Sequence, residues 1–267
     1  MVTFVALGDS TTAGYGDPMP GGGWRGWARL LADGLGDVAF HNLARSGALA
    51  VDVVRDQLPD ALDRAPQLAS VVVGVNDTLR SDFDVAVIGA TLNRIVGRLD
   101  EAGALVLTAC LPDPGRMFGL PGALARPLGR RIAAVNAVIH AVAAPVCGIH
   151  LHIPDLAGVY DPRMWSIDRL HPGERGHRLL AGAYFDLLAA HGFPVHQRPD
   201  PEPTNPPPTT REQMRWLATE GTRWFYRRST DLVPQLARMA VAEWWYHLRG
   251  IEPQPHDQGV PQVVRTT

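Results

Sequence analysis

Phe4-Val5-Ala6-Leu7 is an unbroken apolar run that stops at Gly8-Asp9-Ser10, and the same construction recurs along the chain. Val71-Val72-Val73 ends in Gly74-Val75-Asn76-Asp77, and Ala104-Leu105-Val106-Leu107 runs on towards Pro112. A strand with only apolar side chains has no face to give to water, so it belongs in a parallel sheet covered on both sides. Strands are predicted near 3–7, 38–43, 69–74, 104–110 and 148–153. Helices are predicted between and after them, near 24–35, 50–62, 84–101, 123–144 and 173–191, with Gly103 and Pro112 as punctuation. This alternation predicts an α/β fold built on a doubly wound parallel five-stranded sheet. Such sheets hold their ligands beyond the carboxyl ends of the strands, which is where the hydroxyl of Ser10 stands.

Three distant segments supply what a serine nucleophile needs. A serine hydroxyl is unreactive at neutral pH without an adjacent base, and histidine titrates in the right range. Asp168-Arg169-Leu170-His171-Pro172 offers that base. It also offers, three residues earlier, a carboxylate to fix the tautomer and stabilise the imidazolium. Asn76 offers an amide donor to a developing oxyanion. Gly47, in Asn42-Leu43-Ala44-Arg45-Ser46-Gly47, lets a backbone N–H approach a ligand closely. Loss of one such donor costs about 3 kcal/mol of transition-state stabilisation. Taken singly, each segment reads more readily as a turn, a helix cap or a surface pair. The functional reading rests on all four falling at the same sheet edge.

Gly8-Asp9-Ser10, Gly47, Gly74-x-Asn76-Asp77 and Asp168-x-x-His171 resemble, in order, the four blocks of the SGNH (GDSL-type) hydrolases, over roughly Thr3 to His191. The resemblance implies a flavodoxin-like strand order, 2-1-3-4-5, and a carboxylic ester hydrolase. It implies Ser10 as nucleophile, His171 as base and then acid, and Asp168 as the group that orients His171. The oxyanion hole would be the backbone N–H groups of Ser10 and Gly47 and the side chain of Asn76. Thr11 stands where the family usually has Leu, which bears on subfamily rather than chemistry. The expected partner is a small-molecule ester. The resemblance implies no cofactor and no metal. An O-acetyl deacetylase acting on a sugar or natural product remains an alternative, as does an inactive binding module on the same fold.

Composition narrows the classes further. The chain has 267 residues, 46% of them hydrophobic, and a formal net charge of -2. That is ordinary for a globular protein and gives no global field favouring nucleic acid or an anionic membrane. Every one of the 25 basic residues is Arg. Without lysine there is no P-loop lysine and no Schiff base, which argues against a nucleotide-binding reading of the Gly8–Gly16 loop. No apolar run approaches the length of a membrane span, and no leader precedes the first strand, so a cytoplasmic location is expected. Cys110 and Cys147 lie in apolar surroundings and are expected to be reduced and buried.

Arg198 to Thr210 is dense in proline and cannot continue a helix. We therefore divide the chain into a hydrolase domain (1–197), a Pro-rich linker (198–210), a helical hairpin (211–250) and a disordered tail (251–267). Met214, Leu217, Ala218, Gly221, Trp224 and Phe225 share one helical face of the hairpin, and Val233, Leu236, Ala240 and Trp244 share another. The hairpin is expected to pack on the body or on a second subunit as a homo-oligomer, with a lid over Ser10 as the sharper alternative. Trp24 and Trp27 are expected in the core. Arg25, Arg45 and Arg80 lie where they can meet an anionic substrate group, and Met117, Phe118 and Leu120 where they can line an acyl pocket. His150 and His152 alternate on a strand and share a face, but no third metal ligand is evident from spacing.

Overall fold

A computed structural model describes residues 1–146, 148–206 and scattered positions between 209 and 249. The hairpin and tail expected over 211–250 and 251–267 therefore fall largely or wholly outside the described residues, as does Cys147.

Five parallel strands form one sheet in the order 2-1-3-4-5. They are β1 (Val2–Gly8), β2 (Val38–Asn42), β3 (Leu68–Val72), β4 (Leu105–Cys110) and β5 (Gly148–His152). All five residues of β3, and the last five of β1, are buried. This fits their largely apolar sequences, in which Ser70 of β3 is the one buried polar side chain. β1 and β3 leave the switch point between them, and both end at it in a glycine-containing turn.

Helix α1 (Ser10–Ala13) follows β1 directly, and α2 (Gly26–Leu35) crosses to β2. The helix predicted over 50–62 is broken into three. Between α3 (Ala50–Asp52) and α4 (Leu58–Asp63) lies a single π-helical stretch, Val53–Gln57. Such bulges redirect a side chain that α-helical spacing would aim elsewhere. Here the residue delivered is Gln57, fully buried against the end of β1. A short α5 (Val75–Thr78) leads to α6 (Val85–Glu101). Helix α6 is capped by Asp84, whose carboxylate accepts from the Ala86 and Val87 N–H groups. It buries Val85, Ile88, Leu92, Ile95, Val96 and Leu99 at helical spacing, each worth about 1.5–3 kcal/mol relative to exposure. Helices α7 (Pro114–Phe118), α8 (Gly122–Ala143) and α9 (Glu174–Ala190) complete the alternation.

Helices α2 and α9 pack together on one face, and α6 and α8 together on the other. Trp27 of α2 and Tyr184 of α9 stack in the core at 4.9 Å between ring centroids. Trp27 is fully buried as expected, but Trp24 is 40% exposed. Trp24 sits in a Gly-rich loop before α2 rather than on its buried face, and it leans on Tyr15, 4.4 Å away.

Candidate active site

Ser10 is placed by the way β1 ends. Gly8 has φ of +151°, and a Cβ there would lie 2.3 Å from the Val72 carbonyl oxygen, so only glycine fits. Gln57 grips this residue from both sides. Its Oε1 accepts from the Gly8 N–H at 2.9 Å and its Nε2 donates to the Gly8 carbonyl at 2.9 Å. Asp9 then caps α1 by accepting from the Thr11 N–H. Ser10 becomes the first residue of a helical turn and is 7% exposed.

His171 reaches it from the loop before α9. Its Nε2 lies 2.8 Å from Ser10 Oγ, and its Nδ1 lies 2.6 Å from Asp168 Oδ2. The other carboxylate oxygen of Asp168 accepts from Ser166 Oγ and from the Leu170 and His171 N–H groups. Burial raises the Asp168 pKa, but the hydrogen bonds from His171 and Ser166 and the imidazole charge outweigh it, so the net shift is downward. An ionised Asp168 accepts the Nδ1 proton and leaves the Nε2 lone pair facing the serine, a tautomer assigned from this network. Tyr15 packs on the imidazole at 4.7 Å.

Asn76 stands beside this row at the start of α5. Its Nδ2 donates to the Ala48 carbonyl at 3.1 Å and lies 3.5 Å from Asp9 Oδ2. Asp77 accepts from the Ala50 N–H with both oxygens. Together these neighbours suspend the 44–50 loop from the end of β3. Gly47, in that loop, has φ of +80° and open space around it. It is exposed and lies one residue from the Asn76-bound carbonyl, outside the cavity wall. The structure thus brings Ser10, His171, Asp168 and Asn76 together and leaves Gly47 at the rim.

Ser10 and His171 open into a cleft of about 740 Å³, open solvent at its mouth included. Its walls are mostly apolar, with Leu111, Met117, Ile153, Val159 and Trp165 prominent. Of the pocket candidates Met117, Phe118 and Leu120, Met117 is in the wall and Leu120 is not, while the Phe118 side chain lies outside what the structure describes. Arg25 is not available to a substrate anion. Its guanidinium binds Asp17 twice at 3.0 Å and Glu174 at 2.7 Å. Arg45 faces Asp56 and Arg80 binds Asp82. His177 is a buried scaffold group. Its Nδ1 accepts from the Trp27 N–H and its Nε2 donates to the Tyr15 carbonyl, and burial pushes its pKa down to about 4.

Two buried carboxyls near the serine give the site a pH signature. Burial raises both Asp9 and Asp77 to about 6. A carboxyl whose folded pKa exceeds its unfolded value stabilises the fold below pH 4, and that stabilisation is lost as pH rises through 6. The half-buried His150 and the buried His177, both lowered to about 4, act in the opposite sense over the same range. The total is therefore flattened, and a difference measurement is needed. Asp9→Asn should gain about 2–2.5 kcal/mol relative to the parent between pH 4 and pH 7. Urea unfolding at both pH values measures this, and a pH-independent difference would place the Asp9 pKa near its ordinary value.

A model of the GDSL-like lipase/acylhydrolase family matches residues 6–179. The chain belongs to that family. This GDSL-like hydrolase is an enzyme that cleaves carboxylic esters. Solved structures share its fold. The psychrotrophic esterase EstA from Pseudoalteromonas sp. is 20% identical, with 72% of this chain and 98% of that chain covered and a TM-score of 0.55. TesA is 25% identical, with coverages of 70% and 98% and a TM-score of 0.56. Axe2, an acetylxylan esterase from Geobacillus stearothermophilus, is 19% identical, with coverages of 72% and 94% and a TM-score of 0.57. No curated protein matches the GDSL-like hydrolase at a significant level. None of its described helices is long and apolar enough to cross a membrane.

Proposed function

We propose that this hydrolase works by a two-step acyl transfer through Ser10. The observation that carries the reading is the continuous row Asp168–His171–Ser10, with separations of 2.6 and 2.8 Å, at the wall of an apolar cleft. Ser10 Oγ attacks the ester carbonyl while His171 Nε2 takes its proton. Asp168 stabilises the imidazolium so formed. Charge on the carbonyl oxygen is met by the Ser10 N–H, which begins a helical turn and has no partner within it. The Asn76 N–H that faces Asp9 Oδ2 at 3.5 Å is the second donor, and the Gly47 N–H joins the set when the 44–50 loop moves inward from the rim. His171 then gives its proton to the leaving alkoxide, and an acyl-Ser10 ester remains. Water enters, loses a proton to His171, attacks that ester, and the acid departs as Ser10 recovers its proton.

The wall chemistry favours an aliphatic acyl group in the cleft. Leu111, Met117, Ile153 and Val159 offer it dispersion contact and no hydrogen bond. This supports a general carboxylesterase over an O-acetyl deacetylase. The test is incubation with a fluorophosphonate, intact-mass measurement and mapping of the modified peptide. One adduct on Ser10, lost in His171→Ala, is expected. A folded protein without an adduct would overturn the serine mechanism. On a panel of esters from acetyl to decanoyl, activity confined to acetyl would overturn the acyl-cleft reading while leaving the mechanism intact.

A further inference from the structure

We propose that Cys110, His140, His150 and His152 form a zinc site that fastens the edge of the sheet. The four residues come from three elements. Cys110 ends β4, His140 lies in the last turns of α8, and His150 and His152 alternate on β5. The parallel register pairs Cys110 with His152 and Thr108 with His150, so the edge strand carries both imidazoles to the thiol. Cys110 Sγ lies 3.0 Å from His140 Nε2 and 3.2 Å from His150 Nε2. The three imidazole rings lie 4.5 to 4.9 Å apart, and one ligand atom from each of the four residues falls within 4.8 Å of all the others.

These separations suit a tetrahedral ion. Zn–S of about 2.3 Å and Zn–N of about 2.0–2.1 Å put neighbouring ligand atoms roughly 3.3–3.8 Å apart. The thiol pairs would open by a few tenths of an ångström, and the wider pairs would close by up to about 1.5 Å. The exposed His140 and His152 have room to move that far. A second layer of contacts orients the ligands, as at metal sites generally. Thr108 Oγ1 lies 2.8 Å from His150 Nδ1 and turns the other nitrogen of that ring to the thiol. The Asp155 carboxylate, 3.8 Å from His152 Nδ1, adds negative charge where a cation would sit. One thiolate with three imidazoles fits zinc better than magnesium or calcium, which require oxygen. Four protein ligands leave no open position, which marks a structural site.

Binding needs no redox partner. The Cys110 thiol gives its proton to solvent, the thiolate and three neutral imidazoles each donate a lone pair, and the zinc remains divalent. The next residues along each strand, Leu111 and Ile153, line the ester cleft. Cys110 and His152 themselves are not in the cleft wall. The ion would therefore brace the back of the cleft wall without reaching the serine.

The test uses the untagged full chain, stripped with a chelator and titrated with zinc sulfate against a chromophoric competitor. One zinc per chain is expected, with a raised melting temperature. The cobalt form should show thiolate charge transfer and the intense visible bands of tetrahedral coordination. His152→Ala and Cys110→Ser should each weaken binding at least about tenfold, given that outer-layer changes alone cost 10–100-fold. Because His152 is exposed, its variant should fold and keep ester hydrolysis. Absence of saturable zinc binding by the parent would overturn the proposal. So would stoichiometric binding that survives both substitutions, or a cobalt spectrum without thiolate charge transfer.

Discussion

Ser10→Ala is expected to lower kcat about 10⁶-fold, the scale seen when one member of a serine–histidine unit is removed. The size follows from cooperation. His171 has no substrate proton to take once Oγ is gone, so the imidazole and Asp168 lose their role in the same step. What survives is binding and the oxyanion donors, worth a residual 10³–10⁴ over water. The fold should be indifferent to the change, since the substitution removes one atom and its hydrogen bond to a part-exposed imidazole. A stability change of about 1 kcal/mol or less is expected. Steady-state hydrolysis by protein purified free of host esterases, with circular dichroism as a control, measures both. Activity within about tenfold of the parent would remove Ser10 from the chemistry.

Glu174→Ala carries the largest expected effect on stability. Glu174 is the first residue of α9 and its carboxylate is 6% exposed. One oxygen accepts from Arg25, Arg178, the Thr204 N–H and the Thr204 hydroxyl, and the other from the Asn205 N–H at 2.7 Å. Burial raises its pKa, but the Thr204 and Asn205 N–H groups, the Thr204 hydroxyl and Arg178 bring it down to about 2. Truncation leaves the buried Arg178 without its anion and strands two backbone donors. Breaking a buried pair from one side costs about 3–5 kcal/mol, or about 6–20 °C in Tm for a chain of this size. The sign with pH is fixed by the lowered pKa. The contribution is complete above about pH 4.5 and is lost as pH falls through 2. The penalty should therefore be full in denaturant unfolding at pH 7 and smaller at pH 3. A penalty below about 1 kcal/mol at pH 7 would show the network to be no better than a surface pair.

The parallel sheet was legible because its central strands are apolar on both faces, and the crossovers because helical periods fill every gap. The strand-end positions of Ser10 and Asn76, and the short loop joining Asp168 to His171, were legible for a related reason. Small residues that stop an apolar run must sit where the sheet stops. Contacts between elements were hidden. Gln57 reads as one of several polar residues in an amphipathic helix, beside Asp52, Arg55, Asp56 and Asp60, and the π-helical stretch turns it onto Gly8. Glu174 reads as an ordinary first-turn acid, yet its partners are 149 and 30 residues away. The pairing of His150 with His152 follows from strand alternation. Their meeting with Cys110 and His140 depends on strand register and on how α8 lies across the sheet, and one-dimensional periodicity records neither.

The grip of Glu174 also fixes an exit. Helix α9 is 17 residues long and so carries the chain about 25 Å away from the serine. The segment after it turns and retraces that distance. Arg198 is held to Asp186, the Asp200 carbonyl to Arg178, and Thr204 and Asn205 to Glu174, with the Asn205 amide reaching the Pro18 carbonyl. A reporter domain joined after residue 191 would therefore hang from the far pole of the molecule. The same domain joined after residue 206 would start beside the first turn of α9, three residues along the chain from His171.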